Sequence, residues 1–114
     1  RQHIVDLIDG FKTDVNLQVY SGDSRVTLPK LFLDEPDLTI DLVLIDGGHE
    51  DQIVSADLEN IKGHFKVLAA HDTYNPDYPN LRNIVKYFAQ KNNYPVYFLG
   101  EGIAGTTVML NLGV

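Results

Sequence analysis

The run IDLVLIDGGH, Ile40 to His49, constrains the fold more than any other part of the chain. Branched apolar residues fill Leu42 to Ile45 between Asp41 and Asp46, the composition of a strand covered on both faces, which is the habit of parallel sheets. In open α/β sheets ligands collect outside the carboxyl ends of the strands, so Asp46 leaves the sheet where a cofactor or metal sits. Gly47 and Gly48 let the backbone turn tightly, and His49 is delivered beyond that turn. A second run repeats the design: Phe65 to Ala70 is apolar and ends in His71, Asp72 and Thr73. Two neighbouring strands therefore each point an acid and a histidine at one crevice.

Helix and strand periods alternate along the rest of the chain, which is the signature of one α/β domain over residues 1–114. Ile4, Ile8 and Phe11 share a helical face that Gly10 ends. Val15, Leu17 and Val19 alternate with Asn16, Gln18 and Tyr20, a half-exposed strand suited to a sheet edge and ending at Gly22, Asp23 and Ser24. Leu28, Leu31 and Phe32 predict a short helix broken by Pro36. Val54, Leu58 and Ile61 form one stripe of a crossover helix over Gln52 to Ile61, stopped at Gly63. After the Phe65 strand, a loop with Pro76 and Pro79 leads to Leu81, Ile84, Val85 and Phe88 at helical spacing. Val96 to Leu99 and Thr106 to Leu112 read as two strands of a hairpin.

Composition removes several function classes. Sixteen acids against nine bases give a net charge of -7, contrary to the basic faces with which proteins track nucleic acid. With no cysteine, disulfides, thiolate metal sites and a cysteine nucleophile are excluded, and a reducing, cytoplasmic setting is expected. No apolar run approaches the roughly 18 residues of a membrane span, and no signal-peptide pattern opens the chain. The first residue is Arg1, inside a helical pattern, and the chain is expected to be a fragment.

The segments IDLVLIDGGHEDQIVSADLENI, VLAAHDTYNPDYPNLRNIVKYF and GIAGTTVMLNL, in that order, resemble the C-terminal two-thirds of a class I S-adenosylmethionine-dependent methyltransferase. The similarity is greatest to the small-molecule branch whose fourth and fifth strands end in Asp-Gly-Gly-His and His-Asp-Thr. It covers about Leu17 to Leu112 and implies a Rossmann-like three-layer sandwich, mostly parallel, with an antiparallel C-terminal hairpin and a truncated N-terminus. The family's strand order is 3-2-1-4-5-7-6, of which this chain supplies strands 3 to 7. The glycine-rich turn after strand 1 and the acid after strand 2 have no counterpart here, and the turn before strand 5 reads Lys62-Gly63-His64-Phe65.

Carried over residue by residue, the resemblance implies that Gly22, Asp23 and Ser24 meet the adenine end of S-adenosylmethionine, and that Asp46 and Gly47 lie beside its methionine end. In metal-dependent relatives the strand 4 acid and a pair after strand 5 bind a divalent ion; here those are Asp46 with His71 and Asp72, or with Asp72 and Thr73. Oxygen ligands suit magnesium, which lowers the pKa of a bound hydroxyl, and His49 is the candidate general base beside Asp46. The expected activity is methyl transfer to an oxygen or nitrogen of a small-molecule substrate. Each residue also has a structural alternative: Asp46 and Asp23 as turn formers, Asp72 as an N-cap or Asx turn, His49 as a helix cap. His3 and His64 read as solvated surface histidines, and Tyr74, Tyr78 and Tyr94 either line a substrate mouth or pack their loops down. Two other functions stay open, a non-catalytic methyltransferase-like interaction module and a receiver-like signalling domain. Loss of the central strands leaves edges that a second copy or a missing N-terminal half would pair with, through an altered strand order or oligomerisation.

Overall fold

The computed structural model describes residues 17–46, 50–100 and 105–113; the opening helix over Ile4 to Phe11, Gly47, Gly48 and His49 lie outside the described residues. Seven elements follow in order: α1 (Ser24–Asp34), β1 (Ile40–Ile45), α2 (Asp51–Ile61), β2 (Phe65–His71), α3 (Leu81–Lys91), β3 (Val96–Leu99) and β4 (Thr106–Leu110). The sheet order is β1-β2-β4-β3. β1 and β2 are parallel, with Ile40 opposite Phe65 and Ile45 opposite Ala70. β4 runs antiparallel to both β2 and β3. This is the α/β sheet expected from the alternating periods, with the C-terminal hairpin in place; among the described residues it is mixed, the β1–β2 pairing being parallel and the other two antiparallel.

Alternation along each strand explains what the sheet buries. Val43 and Ile45 on β1 stand in register with Leu68 and Ala70 on β2, and these in turn with Met109 and Thr107 on β4. Residues paired in register share a sheet face, and here they build the core with Val54, Leu58 and Ile61 of α2, Leu81, Val85, Phe88 and Ala89 of α3 and Phe32 of α1. The stripe read from α2 is therefore the one that is buried. On the opposite face Leu42 and Leu44 are 64% and 63% exposed, so the described helices cover one face and the third layer of the sandwich is not among the described residues.

Two expectations fail locally. The strand over Val15 to Tyr20 is not formed in its described part: residues 17–20 have no ladder partner among the described residues, and Leu17, Val19 and Tyr20 are all exposed. Alternating side chains do not make a strand unless another backbone satisfies its amides. His64 is not a solvated surface histidine; its ring stacks on Phe32 at 3.9 Å between centroids, and its Nδ1 donates to the Leu38 carbonyl at 2.9 Å. The turn that carries it depends on Gly63, whose φ of +78° ends α2 in the left-handed conformation that glycine adopts without penalty. Tyr94 packs its loop down, edge-on to Phe65 at 5.1 Å.

Leu68 is fully buried on the central strand, and Leu68→Ala is expected to cost about 2–5 kcal/mol of unfolding free energy. Leu44→Ala, on the bare face, is expected to change stability by less than about 0.5 kcal/mol. Urea denaturation of both variants, followed by far-ultraviolet circular dichroism, checks the pair of values.

Candidate metal and cofactor site

Asp46 follows the last residue of β1, and His71 is the last residue of β2, so the parallel register brings both to the carboxyl end of the sheet. His71 Nδ1 stands 3.0 Å from Asp46 Oδ1 and 3.3 Å from Asp72 Oδ2. One ligand atom from each of the three residues lies within 4.8 Å of the others. Their side chains are 49%, 43% and 18% exposed in the order Asp46, His71, Asp72, which leaves the group open to solvent on one side. A carboxylate oxygen only accepts, so in this contact Nδ1 carries the proton that it donates to Asp46.

Asp72 is delivered by a backbone device that sequence reading missed. Its φ is +63°, in the left-handed region where Asp is tolerated and most residues are strained. Three successive ties hold it there. His71 pairs with Thr106 across the sheet, the Asp72 amide donates to the Gly105 carbonyl at 3.0 Å, and the buried Thr107 hydroxyl donates to the Thr73 hydroxyl at 2.8 Å. Tyr74 then lies against two glycines: a Cβ on Gly105 would fall on its Cδ2 and within 2.8 Å of its Cβ, and one on Gly100 would come within 2.9 Å of its Cζ. Arg82 sits over the outer face of the same ring, 4.9 Å from the centroid. Of the expected alternatives for the second ligand pair, His71 with Asp72 faces Asp46, while Thr73 turns inward and bonds Thr107.

The expected adenine end lies on α1. Asp23 caps this helix, accepting from the Arg25 amide at 2.9 Å, and its two oxygens also meet the Arg25 guanidinium at 2.7 to 3.1 Å. Arg25 thus uses much of the acceptor capacity that the resemblance assigns to adenine. Gly22, with φ of +129°, turns the chain into the cap. Ser24 donates to Asp57 on α2, and Asp57 lines a crevice of about 180 Å³ together with Leu28, Val43 and Asp46. That crevice links Ser24 to Asp46 through one shared residue, Asp57, which sequence reading did not single out.

The donor set admits a divalent ion. Two carboxylates and an imidazole are donors that divalent ions accept, and one such atom from each residue lies within 4.8 Å of the others.

No family model matches the chain and no curated protein is similar to it in sequence. In structure it is similar to the apo form of CalS11, a TDP-rhamnose 3'-O-methyltransferase of calicheamicin biosynthesis, with a TM-score of 0.73 and 20% identity over 99% of this chain and 51% of that one. A second structure of CalS11, a calicheamicin methyltransferase, gives a TM-score of 0.62 and 23% identity over 82% and 37%. The chain thus spans about half the length of the first of these proteins or less. The likeness shows the fold, a methyltransferase-like Rossmann arrangement.

Two outcomes are expected. Gly63→Ala, with open space around its Cβ, pays only the left-handed backbone cost of about 1–2 kcal/mol; Gly105→Ala adds the collision with Tyr74, loses more stability, and exposes the Asp72 amide to hydrogen exchange, all readable by denaturation and NMR. The Arg25 side chain is also expected to hold the Asp23 carboxyl down to about 2. A depressed carboxylate stabilises the fold above its ordinary range and loses that contribution as pH falls toward the folded value. An NMR titration should find Asp23 near 2 and, in Arg25→Ala, nearer the ordinary range.

Proposed function

We propose that this chain carries the acceptor side and ion site of an S-adenosylmethionine-dependent methyltransferase acting on an oxygen or nitrogen of a small molecule. The observation that carries the reading is the convergence of Asp46, His71 and Asp72 at the carboxyl ends of β1 and β2, in a fold shared with a sugar O-methyltransferase. Ligand sites of open α/β sheets lie at that end. A sugar hydroxyl is the acceptor class suggested by this neighbour.

In this reading Asp46, His71 and Asp72 hold a divalent ion, magnesium in the expectation from sequence, which when bound lowers the pKa of an acceptor hydroxyl. His49, four residues past the end of β1, takes the hydroxyl proton as general base. S-adenosylmethionine, when bound, would supply an electrophilic methyl group to the acceptor oxygen, its sulfur taking the carbon–sulfur bonding pair as the leaving group. Gly22, Asp23 and Ser24 approach the adenine end and Gly47 the methionine end. The cofactor's amino-acid end would need the glycine-rich turn after the family's first strand, and the resemblance assigns no segment of this sequence to that turn. A further strand against the open edge of β1, from a second copy or an N-terminal half, would complete the site. A negative net charge favours a small-molecule partner over nucleic acid, and no helix of the described residues is long and apolar enough to cross a membrane.

The non-catalytic module is the competing reading, favoured by the Arg25 fork that occupies Asp23. The receiver-like reading loses support because doubly wound receivers use the parallel order 2-1-3-4-5, whereas here β4 is antiparallel.

Transfer of labelled methyl from S-adenosylmethionine to a nucleotide-sugar hydroxyl, by the protein with its site completed, tests the proposal. His49→Gln and Asp46→Asn are each expected to lower turnover roughly 100-fold or more, with cofactor affinity little changed for His49→Gln. The 114-residue chain alone is expected to show no micromolar heat of binding with S-adenosylhomocysteine. An unchanged rate in His49→Gln would return His49 to a capping role.

A further inference from the structure

The ion site holds a feature that magnesium chemistry does not use. Of its three donors, one is an imidazole nitrogen, and the nitrogen that faces the carboxylates is Nδ1, already 3.0 and 3.3 Å from their oxygens. We infer that the Asp46–His71–Asp72 site selects a nitrogen-accepting transition-metal dication, in the range Mn²⁺ to Zn²⁺, over Mg²⁺. The inference rests on the proposed ion-binding role of this cluster and names the ion that the role requires.

Magnesium is hard, keeps several waters and takes carboxylate and phosphate oxygens in near-ideal octahedra; imidazole suits zinc, iron, nickel and copper. A mixed site can still take magnesium if the histidine swings aside and water replaces it. The fold fixes the backbone on both sides of the ring, and the two carboxylates restrain the ring itself. His71 ends β2, between β1 and β4 in the sheet, and its backbone is in register with Thr106. The next residue is fixed in the left-handed region by the Gly105 carbonyl, and the one after is tied to Thr107 inside the core. The side chain is also flanked by carboxylates on both adjoining segments, Asp46 from β1 and Asp72 from its own strand end. On binding an ion the ring would pass its proton from Nδ1 to Nε2, leaving Nδ1 as a nitrogen donor beside the two carboxylates, and the ion that gains from such a donor would be favoured. Exposure of Asp46 and His71 near one half leaves positions for water or a substrate oxygen, as an open rather than a closed site requires.

Equilibrium titrations of the 114-residue chain with MnCl₂, ZnCl₂ and MgCl₂ separately, by calorimetry, test the selectivity. Electron spin-echo spectroscopy of the Mn²⁺ form reads the donor directly. Mn²⁺ or Zn²⁺ is expected to bind at least roughly tenfold more tightly than Mg²⁺, with ¹⁴N modulation from one imidazole. In His71→Glu, with the fold verified by circular dichroism, the nitrogen modulation is lost and the preference falls toward parity. His71→Gln, which keeps the volume without the imidazole, is expected to lose the modulation as well. Equal or tighter Mg²⁺ binding by the unmodified chain, or nitrogen modulation that survives both substitutions, overturns the inference while leaving an ion site in place. Failure of all three ions to bind overturns the ion-binding reading itself. Neither result depends on methyl transfer.

Discussion

The antiparallel ladder between β2 and β4 is the constraint on which the rest of the structure depends. It sets the mixed sheet, buries Leu68 against Met109 and Ala70 against Thr107, and extends past the last strand residue through the Asp72 amide to the Gly105 carbonyl. A backbone that ended at His71 would leave Asp72 free to choose among turn conformations. Here the pairing continues for one more residue and fixes a positive φ, at a cost that the buried Thr73–Thr107 hydrogen bond helps to offset.

The glycines show how tightly this arrangement is fitted. Gly63 has empty space around it and is required only by its backbone angle, whereas Gly105 is required by its angle and by Tyr74 together. Tyr74 in turn joins the loop after β2 to the start of β4 and to Phe98 on β3, edge-on at 6.2 Å. Packing and backbone geometry therefore act together on Gly105 and Tyr74, and the segment that carries His71 and Asp72 is tied to the core through Thr73. That is the condition under which donor atoms keep their separations when an ion or substrate arrives.

The two faces of the sheet are unequal. Phe32, Val54, Leu58, Val85 and Phe88 cover one, while Leu42, Leu44, Tyr97 and Leu99 stand largely exposed elsewhere on the strands. The β1 edge is unpaired among the described residues. In the proposed function a further strand would pair with that edge.

Much of this was legible in the sequence because it follows from short-range pattern. The continuous apolar runs of β1 and β2, the stripe Val54, Leu58 and Ile61, and the glycine-bounded hairpin all report a local period, and a period is fixed by backbone geometry. The positions of Asp46, His71 and Asp72 at strand ends were legible for the same reason. Tertiary structure alone decided the rest. Residues 17–20 alternate like a strand but have no partner backbone; His64 looks like a turn histidine until Phe32 arrives from 32 positions away to stack on it; and Asp72 takes its left-handed angle from Gly105, which only the β2–β4 register brings into reach. The sequence determined which elements form and which chemistry sits at their ends. The distances between those groups depend on contacts across the sheet, and no local period encodes them.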